Sequence, residues 1–266
     1  MAELITSLQN PRIKALVRMR KRRERDQTKR FLIEGYRELR RAVDRQVTIE
    51  TLFICEELFL GANEPRLIAE AAANGAEVVE VSTDPFSKVS YRDRPEGLLA
   101  IAEQFDTDLE SIATNADPLV LVVESIEKPG NLGTMLRTAD AAGVDAVIVA
   151  DPTTDPFNPN VVRASLGCLF TVPLAVSSTE RALEWLNASQ IRTVATTPDT
   201  STLHWEADLV GSVAIIVGSE QYGLSREWLD GADARVRIPM GGEADSLNAA
   251  MAAGVVLFEA VRQRRG

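Results

Sequence analysis

The stretch SVAIIVGSEQYGLS, residues 212–225, decides the fold. Val213 to Val217 are all apolar and leave no face for water, which predicts a strand buried on both sides, and such strands belong to mainly parallel sheets covered by helices. The strand breaks at Gly218-Ser219-Glu220, and LSREWLDG (224–231) then reads as a helix. Four other stretches share its character: LVLVVES (119–125), DAVIVAD (145–151), TVATTPD (193–199) and RVRIPMGG (235–242). Helical patterns lie between them, at LGTMLRTADAAG (132–143), NVVRASLG (160–167) and STERALEWLNAS (178–189). Residues 119–266 are therefore expected to form an α/β domain on a parallel sheet. In open sheets of this kind ligands sit outside the C-terminal strand ends. Those ends gather Glu124, Thr196, Thr197, Gly218, Ser219, Glu220 and the Met240-Gly241-Gly242 loop.

The first 103 residues alternate in the same way but on a smaller scale. PRIKALVRMR (11–20), YRELRRAV (36–43) and EPRLIAEAAANG (64–75) are helical, and RFLIEG (30–35), TLFIC (51–55), AEVVEVS (76–82) and GLLAIAE (97–103) are strands. They predict a second, smaller α/β domain over residues 1–103. The polar, acidic QFDTDLESIATNADP (104–118) reads as a linker with one helical turn.

Bulk properties exclude several classes of function. A chain of 266 residues, 45% hydrophobic and 26% charged, is an ordinary globular protein long enough for two domains. No run approaches the roughly 20 apolar residues that cross a bilayer, and MAELITSLQNPRIK has no apolar core of a secretory signal, so a cytoplasmic protein is expected. Two cysteines, Cys55 and Cys168, and one histidine, His204, disfavour a disulfide framework, a metal site and His-dependent nucleophilic catalysis. The net charge of -10 hides an asymmetry: residues 10–45 hold fourteen Lys and Arg against five acids. A basic segment in an acidic protein is the footprint of phosphate-backbone contacts. Arg12, Lys14, Arg18, Arg20, Lys21, Arg22, Arg23 and Arg30 are its candidate nucleic-acid-binding residues.

Three stretches could carry chemistry. In EKPGNLGTMLRTADAAG (127–143), Asn131 can cap a helix whose buried stripe is Leu132, Met135, Leu136 and Ala139, with Gly133 and Arg137 on another face. A glycine inside a helix costs about 1 kcal/mol relative to alanine, which points to a close approach there. The spacing is not that of the dinucleotide fingerprint G-x-G-x-x-G. In VGSEQYGLS (217–225), glycine at a strand end permits close approach of backbone to a ligand, beside Glu220. In IPMGGEADSLNAAMAAG (238–254), Asp245 or Ser246 can cap a helix running from Leu247 through Met251, Val255 and Phe258. Capping leaves Asn248 and the run of Ala and Gly unexplained, and those small residues leave room for another backbone or a ligand.

Together the three stretches resemble the three motifs of the SpoU (TrmH) family of RNA ribose 2'-O-methyltransferases, of the SPOUT superfamily. The family pattern Asn-x-Gly-x-x-x-Arg falls on Asn131, Gly133 and Arg137; Gly-x-Glu-x-x-Gly-Leu falls on Gly218, Glu220, Gly223 and Leu224; Ser-Leu-Asn falls on Ser246, Leu247 and Asn248. Gln221 stands where many members have glycine. The resemblance implies a C-terminal sheet with a trefoil knot, a rare topology, and an N-terminal domain similar to a ribosomal-protein-like RNA-binding domain. It implies S-adenosylmethionine as cofactor, held by Thr196, Gly218, Ile238, Met240 and Leu247, together with Thr197, Ser219 and Ser246 at the same rim. It also implies a homodimer and an RNA substrate, 23S ribosomal RNA in preference to transfer RNA. A non-catalytic RNA-binding protein is the alternative of a different class.

Methyl transfer from a sulfonium to a hydroxyl is an in-line displacement that needs positioning and the handling of one proton, with no metal. The implied catalytic residues are Asn131, Arg137, Glu220, Ser246 and Asn248. A guanidinium is a poor proton acceptor, so Arg137 reads as a phosphate clamp and electrostatic stabiliser. Asn131, Ser246 and Asn248 orient the ribose or the loops, and Glu220 is expected to hold Arg137 or the loops.

Overall fold

A computed structural model describes residues 4–113 and 115–265, so the middle of the expected linker, at Thr114, lies outside the described residues. The chain divides into two compact units, residues 1–105 with 155–171, and residues 106–154 with 172–266.

The first unit begins with α1 (Pro11–Arg18), capped by the Asn10 side chain, which accepts from the Arg12 amide at 2.8 Å. The basic run does not continue as one helix. It breaks at Arg20-Lys21 and restarts as α2 (Arg22–Thr28), followed by β1 (Arg30–Glu34), α3 (Tyr36–Asp44), β2 (Ile49–Ile54), α4 (Glu64–Ala73), β3 (Glu77–Glu80), α5 (Thr83–Val89) and β4 (Leu98–Glu103). The four strands pair in the order β1-β4-β2-β3, antiparallel except for β2 with β3. Ile13, Leu16 and Met19 from the basic run bury against Leu32, Phe53, Val79 and Phe86, so apolar spacing fastens the segment down and turns most of its charges outward, Arg25 being buried.

The second unit holds β5 (Leu119–Glu124), α6 (Pro129–Ala142) and β6 (Ala146–Ala150). The chain then leaves for Asp155–Thr171, containing α7 (Pro159–Ala164), which clusters with the first unit although its sequence position lies inside the expected second domain. Its anchor is a buried ion pair within the first unit: Arg25 reaches Asp155 Oδ2 at 2.6 Å and 2.9 Å and also donates to the Met19 carbonyl at 2.8 Å. Back in the second unit come β7 (Leu174–Ser177), α8 (Thr179–Ala188), β8 (Arg192–Thr196), β9 (Val213–Val217), α9 (Arg226–Gly231), β10 (Ala234–Val236) and α10 (Ala249–Arg265).

The sheet has six parallel strands in the order β10-β8-β9-β5-β6-β7, one more than the five read from sequence. The addition is β7, four residues long and preceded by Pro173, too short to show periodicity. Every residue of β5, β6 and β9 is buried, as the continuous apolar runs require. Leu109 and Ile112, inside the acidic stretch 104–118, join this unit's core. Among the described residues no helix is long and apolar enough to cross a membrane.

Candidate active site

At the C-terminal edge of the six-stranded sheet, β9 ends in a tight turn. Ser219 and Gly223 exchange two backbone hydrogen bonds, of 3.0 Å and 3.1 Å, and so close a loop over Glu220, Gln221 and Tyr222. This closure explains Gly218. A Cβ there would lie 2.2 Å from the carbonyl carbon and oxygen of Gly223, so the chain's own turn already requires the glycine. Gly223 itself has φ +67°, and thus glycines at both ends make the turn possible.

The turn presents Glu220 to α6. Asn131 donates from Nδ2 to Glu220 Oε1, and its Oδ1 accepts from Asn248 Nδ2 at 3.2 Å. One side chain from each of the three sequence motifs thus joins a single chain of hydrogen bonds. Two expectations change here. Asn131 is the third residue of α6, whose cap position is Lys128, so its amide is free to act as this bridge. Glu220 holds Asn131 and not Arg137, and its Oε2 is buried without a partner.

Asn248 was left unexplained by capping, but it is the residue that caps α10. Its Oδ1 accepts from the amides of Ala250 at 3.0 Å and Met251 at 3.4 Å while Nδ2 reaches Asn131. Asp245 and Ser246 do not cap; Ser246 and Leu247 lie in exposed chain just before the helix. The amide carries its acceptor and its donors on separate atoms, so one asparagine serves helix and site together. The small residues of α10 are also placed: Ala249, Ala250, Ala253 and Ala260 are buried, and a Cβ on Gly254 would touch Thr138 of α6 at 3.6 Å. The helix therefore lies close on α6. On the other side of the helix Met251 and Phe258 are 61% and 50% exposed, as is Leu247 just before it at 38%.

Arg137, six residues along α6 from Asn131, is exposed, and among the described residues it forms no ion pair. Gly133, one turn before Arg137 on the same helix, is buried. Thr196 ends β8 with a buried Oγ1 that has no partner, beside β9; Thr197 and Ser219 are buried, and Ile238 and Met240 are half-buried. A Cβ at Gly241 or Gly242 would meet nothing within 4 Å. An orphaned hydroxyl, an orphaned carboxylate oxygen and an open glycine loop at one sheet edge suit a ligand with several polar groups. Glu124 is no part of this rim. It turns into the core, accepting from Thr179 Oγ1 at 3.2 Å and the Ser225 amide at 2.8 Å. Among the described residues no group of three or more potential ligands could hold a metal ion.

The loop from Thr197 to Ser212 is gripped from two directions. Arg237 pairs with it, donating to the Thr202 carbonyl at 2.9 Å and accepting from the His204 amide at 3.0 Å. From the far end of α10, Gln263 bonds the Leu209 amide and the Ala207 carbonyl, and Arg264 bonds the Gly211 carbonyl.

The basic segment of the first unit is less free than its sequence implies, because folding brings acids to it from elsewhere. Arg12 forms a two-pronged pair with Glu77 at 2.8 Å and 2.9 Å, Arg30 meets Glu50 at 2.7 Å, and Arg18 and Arg22 meet Glu24 and Asp26. Arg20 donates to the Lys88 and Ser90 carbonyls and lies 5.0 Å over the Tyr91 ring. Lys14, Lys21 and Arg23 are exposed and form no ion pair among the described residues.

Comparison with known proteins is consistent with this geometry. Residues 118–258 match the model of the SpoU rRNA Methylase family, and residues 10–100 match that of an MRM3-like substrate binding domain. The chain is 30% identical to the Bacillus subtilis 23S rRNA (guanosine(2553)-2'-O)-methyltransferase RlmP, over 96% of this chain and 97% of that protein. Among solved structures it is similar to an RNA 2'-O ribose methyltransferase (42% identity, TM-score 0.87, covering 99% of this chain and 100% of that one). It is also similar to an AdoMet-bound rRNA methyltransferase from Sinorhizobium meliloti (35% identity, TM-score 0.90, 98% of each chain).

Proposed function

The chain belongs to the SpoU rRNA methylase family, and from that premise we propose that it transfers a methyl group from S-adenosylmethionine to a ribose 2'-hydroxyl of RNA, with 23S ribosomal RNA as substrate. The observation that carries the reading is the bonded series Asn248-Asn131-Glu220, one residue from each motif, whose middle member Asn131 shares α6 with the exposed, unpaired Arg137. Ribosomal RNA is preferred to transfer RNA because the relative matched along nearly its whole length is named for 23S rRNA.

The rim fits the cofactor. Thr196 with its orphaned hydroxyl, Thr197, Gly218, Ser219, Ile238, Met240, Ser246 and Leu247 would hold it. The cofactor supplies an electrophilic methyl group on a sulfonium. The chain's own work is then positional. Arg137 clamps a phosphate next to the target ribose and stabilises negative charge on the 2'-oxygen, because a guanidinium, already protonated, does not accept its proton. Asn131, held between Glu220 and Asn248, fixes the α6 end against the β9 turn, and Ser246, exposed and uncommitted to capping, is available to the ribose. Residues 1–103 serve as the substrate-binding domain, joined by 104–118 to a catalytic domain over 119–266, of which 155–171 cluster with the first unit; Lys14, Lys21 and Arg23 form the substrate-binding domain's freest phosphate contacts, with Arg12, Arg18, Arg20, Arg22 and Arg30 beside them.

Two further parts of the reading rest on α10. The outward row Leu247, Met251 and Phe258 supports a homodimer through this helix, since a soluble chain gains by covering such a stripe. The two-sided grip on loop 197–212, by Arg237 before α10 and by Gln263 and Arg264 at its end, supports threading of the C-terminal segment as a knot. Incubation with labelled S-adenosylmethionine and 23S rRNA tests the activity: label at a ribose 2'-oxygen is expected, and label on a base rejects it.

A further inference from the structure

The first unit contains a cleft of about 360 Å³, lined in part by Tyr36, Glu38, Leu60, Glu64, Arg92 and Glu96. None of these belongs to the basic segment's exposed charges. Glu38 and Glu64 are 1% and 4% exposed, and in each Oε2 is buried with no hydrogen-bond partner among the described residues. Their other oxygens are used structurally: Arg92 donates to Glu38 Oε1 at 2.8 Å, and the Gly61 amide donates to Glu64 Oε1 at 2.8 Å. Gly35 protects the first of these pairs. With φ +105°, it leaves a space where a Cβ would strike the Arg92 guanidinium at 2.3 Å and Glu38 Oε2 at 2.6 Å.

Two buried carboxylate oxygens without donors are costly unless something supplies N–H groups. Burial pushes the Glu38 carboxyl above its usual value, with the Arg92 charge opposing, which means that its anion is poorly solvated here. The cleft is not built for a phosphate: three carboxylates line it against two arginines, Arg37 being exposed at its edge and the terminal nitrogens of Arg92 already taken by Glu38, Glu96 and the Glu34 carbonyl. A metal is not indicated either, for among the described residues no cluster has the necessary ligands. Its walls are amphipathic. The Tyr36 ring and Leu60, 76% exposed, offer apolar surface for a flat ring above the carboxylates.

We propose that this cleft binds an unpaired guanine base of the RNA, Glu38 and Glu64 accepting from its N1–H and N2–H₂ edge. The proposal rests on reading the first unit as RNA-binding. Guanine alone of the four bases places a ring N–H beside an exocyclic amine. Adenine and cytosine set an acceptor nitrogen next to their amine, and uracil flanks its one N–H with carbonyls, so each would oppose a second carboxylate.

The test is ligand-observed NMR on the full chain with guanosine, inosine and adenosine 5'-monophosphates. Guanosine monophosphate is expected to bind about tenfold more tightly than adenosine monophosphate, with inosine monophosphate, which lacks the N2 amine, between them. Glu64→Gln and Leu60→Ala should each weaken guanosine monophosphate by about tenfold or more while leaving S-adenosylmethionine affinity unchanged. Leu60 is exposed, so its variant folds. Equal binding of the guanine and adenine nucleotides, or guanine binding unchanged in both variants, overturns the proposal, as does displacement of the nucleotide by putrescine at equal concentration. Because nucleotide binding is read without turnover, failure of the methyltransferase reading would show separately, as absent ribose label with guanine preference intact.

Discussion

Asn131→Ala removes at one stroke the bond that Glu220 receives and the bond that Asn248 gives. Glu220 is then left with neither oxygen partnered, since its Oε2 already has no donor. Loss of a bond to a charged acceptor costs about 1.5–3 kcal/mol and a neutral one about 1, and partial access of water to this half-buried site lowers the sum to about 1–3 kcal/mol. If that loss falls on the alignment of α6 with the β9 turn, kcat/KM drops roughly 5- to 150-fold. Glu220→Gln should be mild, because a glutamine carbonyl still accepts from Asn131 Nδ2. The series also predicts non-additivity: Asn131→Ala combined with Glu220→Ala should cost little more than Asn131→Ala alone, because one interaction is lost twice. Single-turnover methylation at saturating cofactor measures this. Independent, multiplying effects of the two substitutions would show that the bonded series does not act as a unit.

Arg137→Ala should leave folding stability within about 0.5 kcal/mol, as expected for an exposed residue without an ion pair, and leave cofactor binding intact, yet lower methylation by about 100-fold; unchanged turnover would remove it from the site. Replacing Lys14, Lys21 and Arg23 together with alanine should reduce the salt slope of RNA affinity by about 2–3, whereas the ion-paired Arg12 and Arg30 should matter less; equal slopes would mean that the segment is only solvated. Arg262 and then Gln263 hold the Glu259 carboxyl at about 2, against a usual 4.5. A depressed carboxylate stabilises above its unfolded value and loses that contribution as pH falls to its folded one. Glu259→Gln should therefore flatten part of the stability loss between about pH 4.5 and 2, as denaturant titrations would show. Phe258→Glu and Met251→Glu should give monomers in sedimentation if α10 is the dimer face; an unchanged particle would place the contact elsewhere.

Much of the second unit was legible because its strands are saturated with apolar residues. Val213–Val217 and Leu119–Glu124 could hardly be anything but buried strands, and the three motif stretches fall at the edge they imply. What stayed hidden depends on contacts distant in the chain. The bridge from Asn131 to Glu220 spans 89 positions and that to Asn248 spans 117, so helix-capping rules alone misassigned both asparagines. The close approach of α10 to α6 stayed hidden because it depends on a contact distant in the chain, Gly254 against Thr138, while Val256 and Leu257 are buried and Met251 and Phe258 stand out in solvent. Charge in the window 10–45 overstated the free cations, since Glu50, Glu77 and Asp155 arrive from outside it. The cleft beside Glu38 and Glu64 left one trace, the glycine at Gly35 before a helix, and nothing in local pattern distinguishes it from a turn.

Ribose methylation of 23S rRNA tests the central claim most directly. Purified protein with labelled S-adenosylmethionine and unmodified 23S rRNA should yield one class of labelled nucleotide, resistant to alkaline hydrolysis because its 2'-oxygen carries the methyl group, and Arg137→Ala should abolish most of it. Label recovered on a base, or no label on any ribosomal or transfer RNA, would contradict the account.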